Sequence, residues 1–291
     1  MGPLEGRRIL ITGASAGIGA AVARRAVRDG ARVALVARTP APLEAMTREL
    51  GTAAVAVPGD VADASSIATA VEQAADALGG LDGLVNCAGV ARPDRIADAR
   101  PADWQLTFDV NVIGLLQATQ AALPHLRDAA SGTDAASGTD ATSGTDATGV
   151  TDAASGTDAA SGTDANSATA AAGTPGIADV VNVSSMSGRR RPSIEMTVYS
   201  ASKFAVHLLS DGLREELAED GIRVSVISPG FVRTAIFDAD EPDATMQRYR
   251  ERMEATGLDA GTIADQVAYA LAQPPGTSVH EIASMSMRQP R

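Results

Sequence analysis

Short apolar runs alternate along this chain with longer segments in which apolar residues recur at helical spacing. Arg8 to Thr12 is the first run, followed by glycines and an Ala/Val-rich helix to about Asp29. The pattern then predicts a strand at Arg32 to Ala37, a helix near Pro42 to Leu50 and a strand at Ala53 to Pro58. A helix at Ser65 to Leu78, a strand at Leu81 to Asn86 and a long helix at Asp103 to Arg127 follow. The second half predicts strands at Asp179 to Ser184, Arg223 to Ser228 and Ser278 to Ser286, with helices at Tyr199 to Glu219 and Thr262 to Ala272. Apolar strands alternating with helices predict a parallel sheet covered on both faces. The fold class is therefore α/β: one Rossmann-type, doubly wound parallel sheet flanked by helices, spanning 1–291 as a single domain.

One segment breaks the pattern. Residues 129–173 repeat Ser-Gly-Thr-Asp-Ala with small variations, and Asp134, Asp140, Asp146, Asp152, Asp158 and Asp164 recur at a fixed six-residue spacing. Val150 is its only large apolar side chain. Such a stretch buries too little surface to offset its ordering entropy, so a disordered low-complexity insertion is expected there. It lacks the inward apolar positions of a β-helix.

Composition narrows the function. Hydrophobic residues make up 45% of the chain and aromatics only 3%, so the core must be built from Ala, Val, Leu and Ile. A net charge of −12 argues against nucleic acid as a partner. The three histidines are far apart and no Cys/His cluster has metal-ligand spacing, so no metal is expected. No apolar run is long enough to span a membrane. Cys87 is the only cysteine, which fits a reducing compartment, and the first residues lack a signal-peptide pattern. A cytoplasmic protein is expected.

The first strand runs into Thr12-Gly13-Ala14-Ser15-Ala16-Gly17-Ile18-Gly19, with a helix directly after it. Glycines there permit a tight turn and a close backbone approach to a pyrophosphate, which the helix N-terminus favours. The T-G-x-x-x-G-x-G spacing resembles that of the short-chain dehydrogenase/reductase family, and the resemblance extends over almost the whole chain outside the insertion. At the end of the second strand, members that prefer NAD carry an acidic residue for the ribose hydroxyls. Here the sequence is Ala37-Arg38-Thr39. No carboxylate repels a 2′-phosphate, and Arg38 is able to pair with one, so NADP(H) is the expected cofactor. Ser15 and Thr39 add hydroxyl donors. Asp60-Val61 resembles the family's adenine-binding site, and Asn86-Cys87-Ala88-Gly89 its Asn-Asn-Ala-Gly motif. The resemblance implies cofactor contacts at Gly13, Ser15, Gly17, Ile18, Gly19, Arg38, Thr39, Asp60, Val61, Asn86, Ala88 and Gly89.

Tyr199-Ser200-Ala201-Ser202-Lys203 places a phenol and an amine four residues apart, on one helix face. A free phenol titrates near ~10, and a neighbouring ammonium favours its ionised form. Val181-Asn182-Val183-Ser184-Ser185-Met186-Ser187-Gly188 resembles the family's fifth-strand motif, which makes Ser185 rather than Ser184 the active serine. Asn111 matches the family's helix asparagine. The resemblance implies a catalytic set of Ser185, Tyr199, Lys203 and Asn111. Tyr199 is its acid/base, and Ser185 bonds the reacting oxygen. Lys203 binds the nicotinamide ribose and shifts the phenol, and Asn111 holds a water that joins Lys203 to solvent. In Ser228-Pro229-Gly230-Phe231-Val232-Arg233-Thr234 it implies cofactor contacts at Pro229, Gly230, Val232 and Thr234, in addition to Tyr199 and Lys203.

The expected reaction is hydride transfer between nicotinamide and a small carbonyl compound or alcohol. A dinucleotide sensor, and an epimerase or dehydratase that recycles its cofactor, are the alternatives. Substrate positions are expected among Val90 to Arg92, Ser187, Glu195, Met196 and a mobile lid from Ala235 to Met253. Arg189, Arg190 and Arg191 form either a solvated cluster or an attractor for an anionic substrate. The C-terminal sequence resembles serine-type 3-hydroxy-acid dehydrogenases and clavulanic-aldehyde-type reductases, which implies tailoring of a natural product such as an antibiotic. Family members assemble as homodimers or homotetramers through the long helices, and the same is expected here.

Overall fold

A computed structural model describes residues 2–132, 176–238 and 243–289. Its centre is one sheet of seven parallel strands: β1 (Arg8–Thr12), β2 (Arg32–Ala37), β3 (Ala54–Pro58), β4 (Gly83–Asn86), β5 (Ala178–Val183), β6 (Ile222–Pro229) and β7 (Glu281–Ser284). Their spatial order is β3-β2-β1-β4-β5-β6-β7. The order reverses between β1 and β4, where Thr12 lies beside Asn86, and a crevice opens there beyond the strand ends.

Alternate strand residues serve opposite faces. Ile9, Ile11, Val33 and Leu35 pack with α1 (Gly17–Arg28) and α8 (Ala260–Leu271). Leu10, Ala34, Leu84 and Val180 pack with α3 (Ala64–Leu78) and α5 (Gly114–Ser131). The helix positions facing the sheet are largely alanine: Ala23 and Ala26 on α1, Ala70 and Ala74 on α3, Ala118 and Ala122 on α5. Small side chains let the helix axes approach closely, which is how a chain so poor in aromatics fills its core. The remaining helices are α2 (Pro40–Leu50), α4 (Pro101–Phe108), α6 (Thr197–Glu216) and α7 (Ala244–Thr256).

At the opposite end of the strands, Asp179 is buried and accepts hydrogen bonds from Arg7 at 2.8 Å and Arg223 at 2.7 and 2.8 Å. Arg7 also reaches Asp82 at 2.6 Å, and Arg223 serves the carbonyls of Leu271 and Gln273 that end α8. The network joins β1, β5, β6 and α8 away from the crevice.

The structure corrects several sequence boundaries. The long helix expected at Asp103 to Arg127 runs from Pro101 to Ser131 and contains a π-helical turn at Asp109–Ile113. Ala129, Ala130 and Ser131, placed in the insertion by their composition, form its last turn. The first glycine of the repeat, Gly132, caps that turn at a φ of 74°. Residues 133–173 of the expected insertion lie outside the described residues. Within the expected lid, residues 244–256 form α7, whose Met246, Tyr249 and Met253 are buried. The last strand is shortened to Glu281–Ser284.

The chain leaves α5 at Gly132 and re-enters at Gly176, whose N–H donates to the Ala130 carbonyl at 3.1 Å. The two ends therefore meet. Joining them directly by deleting residues 133–175 is expected to leave the thermal unfolding midpoint unchanged or raised, because a shorter loop costs less entropy to close. Differential scanning calorimetry of the two proteins checks this.

Candidate active site

The crevice begins at the turn after β1. Gly13 and Gly17 adopt positive φ values of 66° and 56°. A Cβ on Gly13 would lie 2.7 Å from the Ala88 nitrogen, and one on Gly19 would lie 2.3 Å from the Gly13 carbonyl oxygen. Side chains at these positions would fill the cradle. Helix α1 starts after Ala16 with no side-chain cap, which leaves its first N–H groups free for an anion. This cleft measures about 420 Å³, and its lining includes Gly13, Ser15, Gly17, Ile18, Gly19, Arg38, Thr39, Asp60, Val61, Ala88, Gly89 and Thr234. The unfilled glycine cradle, the uncapped helix and the guanidinium of Arg38 fit a dinucleotide with an added phosphate.

A second cavity of about 120 Å³ shares Ile18, Cys87, Gly89, Thr234 and Ile236 with the first. Ser185, Tyr199 and Lys203 line it, with Pro229, Gly230 and Val232. Lys203 is 5% exposed, and its Nζ donates to the Val183 carbonyl at 3.0 Å. That bond fastens α6 to the end of β5 and lays Tyr199, one turn earlier, beside Ser185. The Lys203 Nζ lies 6.0 Å from the centre of the Tyr199 ring. Ser184 and Ser185 separate clearly. The Ser184 hydroxyl donates to the Lys203 carbonyl at 3.2 Å, whereas Ser185 Oγ accepts the Ser187 N–H at 3.0 Å and donates to the Pro229 carbonyl at 3.4 Å, at the wall of the cavity that Tyr199 also lines.

Burial governs the charges. It pushes the Tyr199 phenol up to about 12, against a smaller opposing effect of the Ser185 hydroxyl. It also pulls the Lys203 ammonium down to about 8. The Cys87 thiol is likewise pushed up to about 12 by burial, despite Lys203 nearby, which makes it a poor nucleophile.

Asn86 and Asn111 do not line either cavity. Asn86 donates to Asn182 at 3.0 Å and Thr119 at 3.2 Å beneath the strand ends. Asn111 sits in the π-helical turn and clamps Val90: its Oδ1 accepts the Val90 N–H at 2.8 Å and its Nδ2 donates to the Val90 carbonyl at 3.0 Å. It also donates to Ser202 on α6 at 3.0 Å. The amide thus ties α6 to the loop carrying Gly89. The extra residue of a π turn explains how this amide is aimed there.

Among the expected substrate positions, Ser187, Met196, Ile236, Phe237 and Met253 line the second cavity. Val90 lines the dinucleotide cleft. Glu195 is turned away and pairs with Arg248 of α7 at 3.1 Å. The arginine run divides: Arg189 pairs with Glu281, Arg190 lines the cavity and Arg191 does neither. Sequence reasoning missed Phe231, which stacks edge-on with Phe237 and Tyr249 at 6.3 Å, and Gln289, whose Oε1 accepts the Phe231 N–H at 2.8 Å. The two phenylalanines were visible as part of a very small aromatic set. Gln289 carried no signal.

A glycine cradle at the switch point, beside a buried Ser-Tyr-Lys constellation, defines a dinucleotide-binding oxidoreductase. The chain belongs to the short-chain dehydrogenase family, whose model matches residues 7–134 and 169–245. An uncharacterized oxidoreductase of Staphylococcus epidermidis is 30% identical over 282 residues, covering 97% of this chain and 98% of that protein. A short chain dehydrogenase from Burkholderia cenocepacia, solved in complex with NADP, is 29% identical with a TM-score of 0.70, covering 97% of this chain and 98% of that one. The closed form of a serine dehydrogenase complexed with NADP+ shares the fold, with a TM-score of 0.75 at 22% identity and coverage of 97% and 96%.

Lys203 is the only lysine in the sequence. Protein labelled with 13C at lysine Cε is therefore expected to show a single lysine side-chain NMR signal, titrating near about 8 rather than at the ordinary value of 10.5. A signal titrating at the ordinary value would contradict the burial described above.

Proposed function

We propose that this short-chain dehydrogenase is an NADP(H)-dependent carbonyl reductase or alcohol dehydrogenase of small molecules. The observation that carries the reading is the convergence of Ser185, Tyr199 and Lys203 on one small cavity that opens into the glycine-lined cleft. Bound in that cleft, the nicotinamide supplies or accepts the hydride. In reduction the Tyr199 phenol, held protonated by its burial, donates its proton to the carbonyl oxygen. The Ser185 hydroxyl bonds the same oxygen as negative charge develops on it. The Lys203 ammonium, one turn away, stabilises the phenolate left behind and is the nearest source of a replacement proton. Asn111 acts through the backbone it clamps.

Arg38 and the neutral Ala37 favour NADP(H) over NAD(H), since the guanidinium lines the cleft where a 2′-phosphate is to be placed. The substrate cavity is walled by Met186, Met196, Phe231, Phe237 and Met253, which suits a small, mostly apolar carbonyl compound. Natural-product tailoring in the cytoplasm is the proposed setting, supported by the C-terminal resemblance and by the single free cysteine. No helix among the described residues is long and apolar enough to cross a membrane. A homodimer or homotetramer joined through the long helices belongs to the same reading. Phe108 and Ile113 near the π turn, and Phe204 and Leu208 on α6, supply exposed apolar surface for it.

Following NADPH absorbance over a panel of aldehydes and ketones tests the activity. Y199F is expected to lower kcat at least about a hundredfold, the low end for a lost general acid. R38Q is expected to raise KM for NADPH about tenfold or more and to leave KM for NADH unchanged, as for loss of a charge-assisted hydrogen bond. Carbonyl reduction is expected to decline as pH rises through about 8, where Lys203 loses its proton. A Y199F enzyme with wild-type turnover would overturn the reading.

A further inference from the structure

We infer that the smaller cavity takes a carbonyl compound bearing a carboxylate, and that Arg190 and Gln289 form the subsite for that anion. The inference deepens the proposed function and rests on it. Arg190 follows closely on the turn that opens at Ser185, and its backbone N–H donates to the Met186 carbonyl at 3.2 Å. It is exposed yet lines the cavity, so its guanidinium stands at the rim. The neighbouring Arg189 is spent on Glu281. Among the described residues, Arg190 has no carboxylate partner. Its side chain meets the Met285 sulfur at 3.6 Å. A thioether is a weak acceptor and leaves the other N–H groups of the fork unspent.

Gln289 brings a second donor to the same place. The chain after β7 is stitched to the exit of β6: the Gly230 N–H donates to the Ser284 carbonyl at 2.7 Å, and the Gln289 N–H to the Ser286 carbonyl at 3.0 Å. The side chain of Gln289 then meets the Phe231 N–H at 2.8 Å. A backbone N–H requires an acceptor, so the amide oxygen has to face Phe231 and the NH2 group is left to donate elsewhere. Gly230 makes room for this arrangement. A Cβ there would lie 2.3 Å from Gln289 Oε1 and 3.1 Å from Met285 Cγ. Met285 thus reaches from Gly230 to Arg190, which brings the guanidinium and the amide to one end of the cavity.

The charges in the cavity favour an anion. No Asp or Glu among the described residues lines it, whereas Arg190 and Lys203 both do. The chain as a whole carries −12, so this positive lining is a local feature. A guanidinium presents parallel N–H groups that match the two oxygens of a carboxylate. Apolar walls at Met186, Met196 and Phe237 strengthen such a contact by excluding water. With its carbonyl oxygen at Ser185 and Tyr199, a short oxo acid directs its carboxylate to the rim. A cavity of about 120 Å³ suits a molecule of that size.

Glyoxylate, 4-oxobutanoate and levulinate, each compared with its methyl ester, test the inference. Acid and ester share the reacting carbonyl group and differ in charge. For the best-fitting pair, wild-type kcat/KM is expected to favour the acid about tenfold or more, as for a charge-assisted hydrogen bond. R190L is expected to lower that ratio about tenfold. Q289E keeps the oxygen that Phe231 requires and puts negative charge where the NH2 group was; it is expected to lower the ratio by a similar factor. A wild-type ratio near one, or an unchanged ratio in R190L, overturns the inference, and an unchanged ratio in Q289E removes Gln289 from the subsite. Calorimetry provides a reading independent of turnover, because NADP+ has no hydride to give to levulinate. The Kd of levulinate for the NADP+-loaded protein is expected to rise about tenfold in R190L, and equal values in both proteins refute the subsite. Esters reduced without preference for the acids defeat only the anion subsite. No NADPH oxidation with any pair defeats the proposed function, and calorimetry then decides the subsite alone.

Discussion

An ammonium buried against the end of the sheet is the constraint on which the site depends. Among the described residues Lys203 has one protein oxygen to satisfy it, the carbonyl of Val183, and that bond sets the height of α6 on β5. Once that height is fixed, Tyr199 falls beside Ser185, and the α6 backbone at Lys203 presses so closely on the following turn that position 188 has to be glycine. The same burial disfavours the charged form by an amount on the order of 3 kcal/mol, taking the shift from 10.5 to about 8. Cations elsewhere in the chain are arginines, which remain charged at any physiological pH. The one lysine stands buried at the wall of the cavity, where the proposed reaction calls for a compact cation able to release its proton.

The sheet was readable from the sequence because most strands are short β-branched or aliphatic runs bounded by turn residues, and α1, α3, α5 and α8 present alanine-rich faces. The crevice was readable because its turn carries glycines where a Cβ has no room. Gly13 and Gly19 are such places, and their spacing is a direct record of backbone packed against backbone. The phenol and amine were readable because a four-residue spacing becomes a single helical face whatever surrounds it.

Other parts of the site were hidden for equally physical reasons. Asn86 and Asn111 have the residue types expected of contact groups, yet neither lines a cavity and both bond to other parts of the protein. An amide that can bond backbone in two directions is as useful for fixing a loop as for touching a ligand, and sequence does not separate the two uses. The boundary of α5 was misplaced because Ala-Ala-Ser-Gly is both the start of a repeat and a good helix end; only Gly132 in its left-handed conformation shows which use applies. The division of labour among Arg189, Arg190 and Arg191 depends on Glu281, some ninety residues away, which no local pattern could reveal.

The catalytic turn therefore has two kinds of support. From the cavity side, Tyr199 and Lys203 are placed by α6 itself. From the outside, His207 on the same helix packs against Gly188 and meets Ser228 of β6 at 3.2 Å. One helix thus carries the phenol, the amine and an imidazole at successive turns, at positions 199, 203 and 207. A four-residue repeat advances slightly more than one turn, so the three side chains drift slowly around the helix. That drift takes the first two into the cavity and carries the third just past its wall. A side chain one step further along the same stripe lies outside the cavity and packs against Gly188 instead.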